Sequence, residues 1–249
     1  MKTLGIDVGG SGIKGALVDT DRGEMLTERR RIKTPKPAEP EGMTDIMAEI
    51  IGFFDYSGPV GIGFPATIQK GIVRTAANID PGWIGVSVPD LIADKAGCQA
   101  VALNDADAAG TAEMEFGAGK DEEGSVMIIT VGTGLGTALF TDGVLVPNLE
   151  LGHIILNGMP AEHYASDAAR KKEDLKWKEW AKRFNEYLER LEFLIRPDLF
   201  IIGGGASKEK KFRKYSGELT VPVKLVPARL HNHAGIIGAA VAARRRLGT

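Results

Sequence analysis

The stretch that decides the fold is Leu4-Gly-Ile-Asp-Val-Gly-Gly-Ser-Gly-Ile-Lys-Gly-Ala-Leu-Val-Asp19. Leu4, Ile6 and Val8 alternate with a period of two, which predicts a half-buried strand. The glycines that follow predict a turn with backbone conformations that other residues avoid, and then a second strand. Backbone N–H groups in such a turn can surround an anion, and Asp7 at its mouth can hold Mg²⁺ or its waters against phosphate oxygens.

This stretch differs from the phosphate-binding loop of P-loop enzymes, which needs G-x-x-x-x-G-K-[ST] between a strand and a helix. Lys14 is followed by Gly15, and the pattern continues as strand rather than helix. Taken alone, the stretch is equally well explained as a glycine hairpin that binds no ligand.

A second stretch with the same pattern is Ile128-Ile-Thr-Val-Gly-Thr-Gly-Leu-Gly-Thr-Ala-Leu-Phe140. Thr130 and Thr133 stand where the first stretch has its acid, and their hydroxyls can donate to phosphate oxygens. Two such hairpins predict a duplicated fold that holds phosphate between its halves. The predicted phosphate-binding residues are Asp7, Gly9, Gly10, Ser11, Gly12, Lys14, Thr130, Gly132, Thr133, Gly134, Gly203, Gly204, Gly205 and Lys208.

Composition excludes several classes of protein. The 249 residues carry 33 acids and 31 Lys and Arg, a net charge of −2, so nothing indicates binding to nucleic acid or to a membrane surface. No apolar run reaches membrane-spanning length, and the first residues lack a signal-peptide pattern. Cys98 is the one cysteine, so no disulfide forms within the chain. These features predict a cytoplasmic protein.

The periodicity along the chain predicts an α/β protein. The predicted helices are 43–54 with Thr44 as a cap, 88–96, 106–116, 167–196 and 234–246. The predicted strands after the first hairpin are 24–33, 60–64, 100–103, 125–131, 136–141, 199–202 and 221–226. We expect a small lobe of residues 1–105 completed by the helix 234–249, and a large lobe of residues 106–233.

Ligands in such sheets bind beyond the carboxyl ends of the strands. Asp7, residues 63–65 and the pair Asn104-Asp105 all lie at the carboxyl ends of predicted strands, so this rule predicts that they share one cleft. The predicted helix 167–196 carries an apolar stripe that we interpret as core and subunit packing, which makes a homodimer plausible.

Asp105 is the candidate for a catalytic base. A base beside an alcohol takes the hydroxyl proton as the oxygen attacks a phosphoryl group. The alternative is that Asp105 is the N-cap of the helix that follows it. Both roles are compatible only if Asn104 or Asp107 caps that helix instead.

Several other polar residues lie on separate predicted loops, and together they suit the hydroxyl groups of a sugar. Each is also explained as ordinary loop polarity, and only their placement after strands favours a shared pocket. They are Asn78, Asn104, Glu150, His153 and Glu162.

Seven motifs in order identify a resemblance that covers nearly the whole chain. They are Asp7-Val-Gly-Gly-Ser-Gly-Ile-Lys14, Gly61-Ile-Gly-Phe-Pro65, Asn104-Asp-Ala-Asp-Ala-Ala109, Thr130-Val-Gly-Thr-Gly-Leu-Gly136, Glu150-Leu-Gly-His153, Glu162-His-Tyr-Ala-Ser166 and Gly203-Gly-Gly-Ala-Ser207. The chain resembles the sugar kinases of the ROK (repressor, open reading frame, kinase) family. The resemblance implies a two-lobed actin-like, ribonuclease-H-like fold with a cleft between the lobes. It also implies Asp105 as base, Mg²⁺ as cofactor and glucose contacts from Asn78, Asn104, Asp105, Glu150, His153 and Glu162.

One departure from the family concerns zinc. Many members carry closely spaced cysteines just after the position of His153, and this chain has none there. A structural zinc needs four soft or imidazole ligands, so we predict no zinc.

The missing cysteines and the short chain resemble the polyphosphate glucokinases within the family. So do the segments Glu115-Phe-Gly-Ala-Gly119 and Arg229-Leu-His-Asn-His-Ala-Gly235. The resemblance implies transfer of a phosphoryl group from inorganic polyphosphate to glucose. The basic cluster Lys208, Lys210, Lys211, Arg213 and Lys214 could line the path of a polyanion, or could equally be a solvated helix face.

The sequence leaves three alternatives. The first is an ATP-dependent glucokinase or hexose kinase of the same family. The second is a sugar-sensing transcriptional regulator; these carry an N-terminal DNA-binding segment, whereas here the first strand is predicted to begin by Thr3. The third, a non-catalytic sugar binder, is disfavoured because Asp7, Asp105 and both hairpins are present.

Overall fold

The computed structural model describes residues 1–77 and 79–248. In chain order the elements are β1 (Lys2–Gly9), β2 (Gly12–Asp19), β3 (Glu24–Met25), β4 (Arg30–Ile32), α1 (Pro40–Phe53), β5 (Val60–Phe64), β6 (Ile68–Gln69), β7 (Ile72–Val73), α2 (Val88–Ala96), β8 (Ala100–Asn104), α3 (Asp105–Phe116), β9 (Ser125–Val131), β10 (Leu135–Thr141), β11 (Val144–Val146), β12 (Ile155–Leu156), β13 (Met159–Pro160), α4 (Ala161–Ala165), α5 (Asp167–Lys172), α6 (Trp177–Ile195), β14 (Leu199–Gly204), α7 (Glu209–Phe212), β15 (Lys224–Pro227) and α8 (Ala234–Leu247). No helix in these described ranges is long and apolar enough to cross a membrane.

The chain folds into two compact units. Unit 1 comprises residues 1–116 and 233–249, and unit 2 comprises residues 117–232. The boundary predicted from the sequence lies after residue 105, the first residue of α3, whereas this division falls at the end of α3. Helix α3 packs with unit 1 because Gly238 of α8 lies directly against the backbone of Ala108.

Each unit contains a sheet of the same topology. The strand order is β3-β2-β1-β5-β8 in unit 1, where β4 also pairs with β2, and β11-β10-β9-β14-β15 in unit 2. In both sheets the first hairpin is antiparallel, and the later strands pair in parallel beside its first strand. The predicted duplication is therefore present in the strand order.

Both faces of the sheet of unit 1 are covered by helices. Leu4, Ile6 and Val8 are buried against α1 and α2 on one face. The other face meets α8 so closely that a Cβ on Gly61 would lie 1.7 Å from the carbonyl oxygen of Ala239. Glycine at that position therefore sets the depth at which α8 packs on the sheet of unit 1.

The core of unit 2 lies between its sheet and α6. Trp180, Phe184 and Leu188 of α6 are fully buried against strand residues such as Ile129 and Ile202. The apolar face of α6 thus packs into the core of its own unit. The last turn of the helix differs, since Phe193 is 64% exposed and Leu194 is 52% exposed.

The predicted single helix over residues 167–196 is wrong, because two helices form instead, α5 and α6. Asp174 adopts φ = 50°, a left-handed conformation that interrupts a helix. The side chain of Glu179 then accepts a hydrogen bond from the backbone N–H of Lys176 and so fixes the start of α6.

Three other predicted elements differ from those observed. The strand predicted over 24–33 is broken into β3 and β4, and the strand predicted over 221–226 is observed at Lys224–Pro227. Thr44 is not a cap, because α1 begins at Pro40 and the Thr44 hydroxyl donates to the Pro40 carbonyl inside the helix.

Candidate active site

The carboxyl ends of three parallel strands form one edge of the sheet in unit 1. In the register of the sheet Asp7 of β1 pairs with Gly63 of β5, and Phe64 of β5 pairs with Asn104 of β8. Across β5 the residue level with Asp7 is Leu103 of β8, so Asp105 lies two strands away from Asp7 and two residues further along the chain. The predicted gathering of strand-end residues at one edge is therefore observed within this unit.

Asn104 is the residue that caps helix α3. Its Oδ1 accepts hydrogen bonds from the backbone N–H groups of Ala106, at 2.8 Å, and Asp107, at 3.2 Å. Its Nδ2 donates to the carbonyl of Ala66 at 3.2 Å, which anchors the amide from the other side. Asn104 is 8% exposed, so this buried amide has a structural role in addition to any contact with a ligand.

Asp105 is half-buried at the first position of α3. Because Asn104 satisfies the N–H groups of the first turn, Asp105 is not needed as the cap. The neighbouring strand approaches closely at this point, since a Cβ on Gly63 would lie 3.7 Å from the Cα of Asp105. The backbone of Asp105 is therefore held at the sheet edge by both its helix and the neighbouring strand.

Asp7 lies at the end of β1 with its side chain 19% exposed. Its Oδ2 accepts a hydrogen bond from Nζ of Lys14 at 3.1 Å, across the first hairpin. The first turn of α8 lies on its other side, since a Cβ on Gly235 would be 3.0 Å from the Asp7 carboxylate carbon. The positive N-terminal end of that helix favours a negatively charged carboxylate at this position.

The donor set around Asp7 fits Mg²⁺. This ion keeps several waters and is commonly held by one or two carboxylates together with substrate phosphates. Oδ1 of Asp7 makes no hydrogen bond with the residues that the structure describes, so one carboxylate oxygen can face a hydrated ion. Within the described ranges no group of three or more His, Cys, Asp or Glu side chains is placed to hold a metal by itself.

The first glycine turn is a two-residue connection between Gly9 and Gly12, which pair with each other. The prediction that its glycines need special backbone angles is wrong, because Gly9, Gly10 and Gly12 all lack a positive φ. The space beside Gly10 is open, because nothing lies within 4 Å of a Cβ placed there. Gly12 differs, because a Cβ there would meet the Arg31 side chain at 2.7 Å.

A segment that sequence reasoning did not single out is attached to this turn. Arg31 of β4 donates from Nη2 to the carbonyl of Ser11 at 2.9 Å. Thr34 donates from Oγ1 to the carbonyl of Gly9 at 2.5 Å. The run of basic residues at 29–33 was the only signal in the sequence, and its position over the turn depends on the pairing of β4 with β2.

A cavity of about 370 Å³ opens beside this turn within unit 1. Its walls include Gly9, Gly10, Lys36, Pro65 and Asp80. Asp80 is held in place because its Oδ1 accepts a hydrogen bond from the backbone N–H of Gly82 at 2.7 Å. The predicted site residue Asn78 lies outside the described residues.

In unit 2 the second glycine turn and the triple glycine lie side by side. Strand β14 runs parallel to β9, with Gly203 opposite Thr130 and Gly204 opposite Val131. Gly204 has φ = 68°, and a Cβ there would lie 2.5 Å from the Val131 carbonyl oxygen. Only glycine fits this position, so two of the predicted phosphate-binding segments form one glycine-lined surface together with Gly132, Thr133, Gly134 and Gly205.

Three of the predicted sugar-binding residues meet in unit 2. Nε2 of His153 lies 3.7 Å from Oε2 of Glu150, and its Nδ1 lies 3.6 Å from Oε1 of Glu162. The other oxygen of Glu162 lies against Gly134, whose missing side chain makes room for it. Burial and the nearby Glu162 carboxylate both raise the pKa of Tyr187, which keeps that phenol protonated.

Thr137 and Gly152 position this cluster, and sequence reasoning missed both. The hydroxyl of Thr137 donates to the Leu149 carbonyl at 2.6 Å and accepts from the Leu151 N–H at 3.2 Å, which fixes both sides of Glu150. A Cβ on Gly152 would lie 2.1 Å from the Leu135 carbonyl oxygen, so this loop packs on the start of β10 only with glycine there.

The predicted basic cluster forms a short exposed segment around α7. Lys211 approaches the triple glycine, since a Cβ on Gly205 would lie 3.8 Å from its Nζ. Arg213 forms an ion pair with Glu209, so its charge is neutralised locally. Lys208 precedes the helix and Lys210 lies within it. The cluster is therefore less uniformly cationic than the sequence suggested.

The duplicated sheet, with a glycine turn after the first strand of each copy, defines the actin-like class of α/β proteins. The chain belongs to the ROK family, whose family model matches residues 3–169. The predicted family and fold class are confirmed.

Individual relatives cover nearly the whole chain. It is 45% identical to a polyphosphate glucokinase of Mycobacterium tuberculosis over 240 residues, 96% of this chain and 90% of that protein. The structure matches the inorganic polyphosphate/ATP-glucomannokinase of Arthrobacter sp. strain KM with a TM-score of 0.94 and 42% identity, over 98% of this chain and 99% of that chain. It also matches a ROK family glucokinase from Streptomyces griseus, solved with glucose and AMPPNP, with a TM-score of 0.81 and 26% identity over 98% and 100% of the two chains.

Proposed function

We propose that the protein transfers the terminal phosphoryl group of inorganic polyphosphate to the 6-hydroxyl of glucose and yields glucose 6-phosphate. The observation that carries this proposal is the division of roles at the end of β8. Asn104 caps α3, and Asp105 follows it at the same edge of the sheet as Asp7, with β5 between their two strands. The relatives named for this chemistry, at 45% and 42% identity, support it.

Asp105 is the proposed catalytic base. As the glucose 6-oxygen attacks the terminal phosphorus, the Asp105 carboxylate takes the hydroxyl proton, and the bond from phosphorus to the bridging oxygen breaks. The shortened polyphosphate leaves with the electrons of that bond. General base catalysis of this kind contributes about 10²- to 10⁴-fold to the rate.

Glucose is proposed to contact Asn78, Asn104, Asp105, Glu150, His153 and Glu162. The geometry within unit 2 supports the last three, because His153 lies between the two carboxylates. Carboxylates accept from sugar hydroxyls and an imidazole can donate or accept, so the three side chains can bind neighbouring hydroxyls of one ring.

The two glycine turns and the triple glycine are proposed to bind the donor phosphates. Lys14 supplies a cation beside Asp7, at 3.1 Å. When bound at Asp7, Mg²⁺ would neutralise charge on the transferring and leaving phosphates. The sequence predictions of no zinc, a cytoplasmic location and a homodimer belong to this proposal as well.

ATP is the second candidate donor, because the Arthrobacter relative is named for both polyphosphate and ATP. The decisive experiment measures glucose 6-phosphate formation by the purified protein with polyphosphate and with ATP, side by side, at saturating glucose and Mg²⁺. We expect a higher kcat/KM with polyphosphate. Activity with ATP alone would overturn the polyphosphate proposal, and glucose binding without turnover on either donor would favour a non-catalytic sugar binder.

A further inference from the structure

Three basic residues within and just after β4 are not explained by the site described above. Arg31, Lys33 and Lys36 fall within six residues of chain. Among the described residues none of the three pairs with a carboxylate, whereas Arg30 in the same run pairs with Glu49 at 3.3 Å. Charges left without an internal partner near an anion site are candidates to bind the anion itself.

Arg31 lies over the tip of the first glycine turn. Its Nη2 donates to the Ser11 carbonyl at 2.9 Å, and a Cβ on Gly12 would meet the guanidinium at 2.7 Å. The planar group therefore rests against Gly12, and glycine is required for it to do so. A guanidinium has five N–H donors, and Arg31 uses one of them within the described residues, so the others can bind phosphate oxygens.

The residues after Arg31 stay near this turn: Lys33 is exposed, and Thr34 and Lys36 both lie near Gly9. The Thr34 hydroxyl holds the segment against Gly9 at 2.5 Å. Pro35 and Pro37 fix φ on either side of Lys36, which limits the conformations available to the chain at that residue. Lys36 lines the cavity of about 370 Å³ together with Gly9 and Gly10.

We propose that Arg31, Lys33 and Lys36 form a binding track for the chain of polyphosphate beyond the reacting phosphate. This inference rests on the proposed function and identifies residues of its donor site. A polyphosphate chain carries about one negative charge per phosphate and has no base to stack, so a row of cations is the main recognition available to it. A short donor reaches fewer of these cations than a long one.

The test compares donors of different length in the variants Arg31→Gln and Arg31→Gln/Lys33→Gln/Lys36→Gln. Gln removes the positive charge and keeps a polar side chain, but it is two bonds shorter than Arg and gives up the contact that Nη2 makes with the Ser11 carbonyl. We expect the KM for long-chain polyphosphate to rise about tenfold in the triple variant, with a smaller rise for tripolyphosphate. The slope of log KM against log salt should become less steep by about 0.7 for each phosphate that the variant no longer neutralises.

Arg22→Gln is the matched control, because Arg22 lies in the same unit and pairs with Glu24 at 3.1 Å. This variant should leave the KM for long-chain polyphosphate and the KM for tripolyphosphate unchanged. Equilibrium binding of fluorescently labelled long-chain polyphosphate, without glucose, gives a readout independent of turnover. Arg31→Lys keeps the charge and should bind labelled polyphosphate more tightly than Arg31→Gln does.

The outcomes separate this inference from the proposed function. If the unmodified protein does not use polyphosphate, the proposed function fails. If it does, and the triple variant keeps its affinity for labelled polyphosphate, the track is refuted while the function stands. An equal loss of kcat with every donor, at constant KM, would show that these residues only support the turn, and would also overturn the inference.

Discussion

Oδ1 of Asn104 lies 2.8 Å from the backbone nitrogen of Ala106, so the helix that follows β8 is capped by the residue before Asp105. An Asn is among the preferred N-caps, and replacing such a cap by Ala costs about 1 kcal/mol. With Asn104 in this position, the helix does not need Asp105 as its cap.

The first prediction concerns that carboxylate. Asp105→Asn should lower kcat with polyphosphate by about 10²- to 10⁴-fold, because the amide cannot take the proton of the glucose hydroxyl. Glucose binding, measured by calorimetry, should be largely retained. Asp94→Asn, on the exposed side of α2, is the control and should behave as the unmodified protein does. Near-normal turnover in Asp105→Asn would place the base elsewhere.

The second prediction concerns the metal. Asp7→Asn removes the carboxylate charge that Lys14 contacts at 3.1 Å. We expect the Mg²⁺ concentration for half-maximal activity to rise about tenfold, since one coordinating charge is removed. The measurement is a Mg²⁺ titration at fixed donor and glucose, with Asp90→Asn of α2 as the control. If the Mg²⁺ concentration for half-maximal activity is unchanged in Asp7→Asn, Asp7 is excluded as the residue that holds the ion.

The third prediction concerns the lysines around α7. Replacing Lys208, Lys210 and Lys211 together with Gln should raise the apparent KM for polyphosphate and barely change that for glucose. We expect Lys211 to account for most of the rise in KM, because its Nζ lies near Gly205. Arg213 is left in place since Glu209 already neutralises it. A polyphosphate KM equal to that of the unmodified protein would remove the cluster from the donor site.

The fourth prediction concerns packing between α8 and α3. A Cβ on Gly238 would lie 1.7 Å from the Ala108 carbonyl oxygen, so Gly238→Ala forces the two helices apart. We expect the free energy of unfolding to fall by about 3 kcal/mol. Gly52→Ala on α1 is the matched control: nothing lies within 4 Å of its Cβ, and better helix propensity should raise the stability by about 0.5 kcal/mol. Urea denaturation measures the free energy of unfolding of both variants. If Gly238→Ala were as stable as the unmodified protein, the close packing of α8 on α3 would be contradicted.

The fifth prediction concerns pH. Burial of Asp167 opposes its ionisation, but hydrogen bonds and charges from Lys171 and Arg170 outweigh burial and hold the pKa of that carboxyl below its usual value. A lowered pKa in the folded state means that the ionised form stabilises the fold above the ordinary pKa of about 3.9. This contribution is lost as pH falls through the folded-state pKa.

Asp167→Asn should therefore lower the free energy of unfolding at pH 7 by about 2 kcal/mol, and the difference should shrink below about pH 4. Urea denaturation at a series of pH values measures this. Asp174→Asn, which keeps a residue type that tolerates the left-handed conformation at φ = 50°, is the control. A constant difference between pH 3 and pH 7 would contradict the role of the ion pairs.

Much of the candidate site was predictable because its signals are local. The two glycine hairpins follow from alternating apolar residues and the glycines after them, and the repeated pattern predicted the repeated sheet. The rule that ligands bind beyond parallel strands placed Asp7 and Asp105 at one sheet edge. The sequence motifs also identified the ROK family, which the family model confirms.

The tertiary structure decided what depends on non-local contacts or on competition between near-equal local choices. Asn104, Asp105 and Asp107 could all cap a helix by residue type, and the hydrogen bond from Asn104 to Ala66 selects Asn104. The break between α5 and α6 depends on a left-handed Asp174, which helical periodicity does not reveal.

By itself, then, the sequence determined the repeated strand pattern, the residues at the strand ends and the family, since these follow from short-range periodicity and motif order. Only the fold placed Arg31 over Ser11 and Thr34 against Gly9. Those contacts join residues about 20 to 25 positions apart. They form because β4 pairs with β2, and strand pairing is set by the packing of the whole sheet rather than by the residues of either segment.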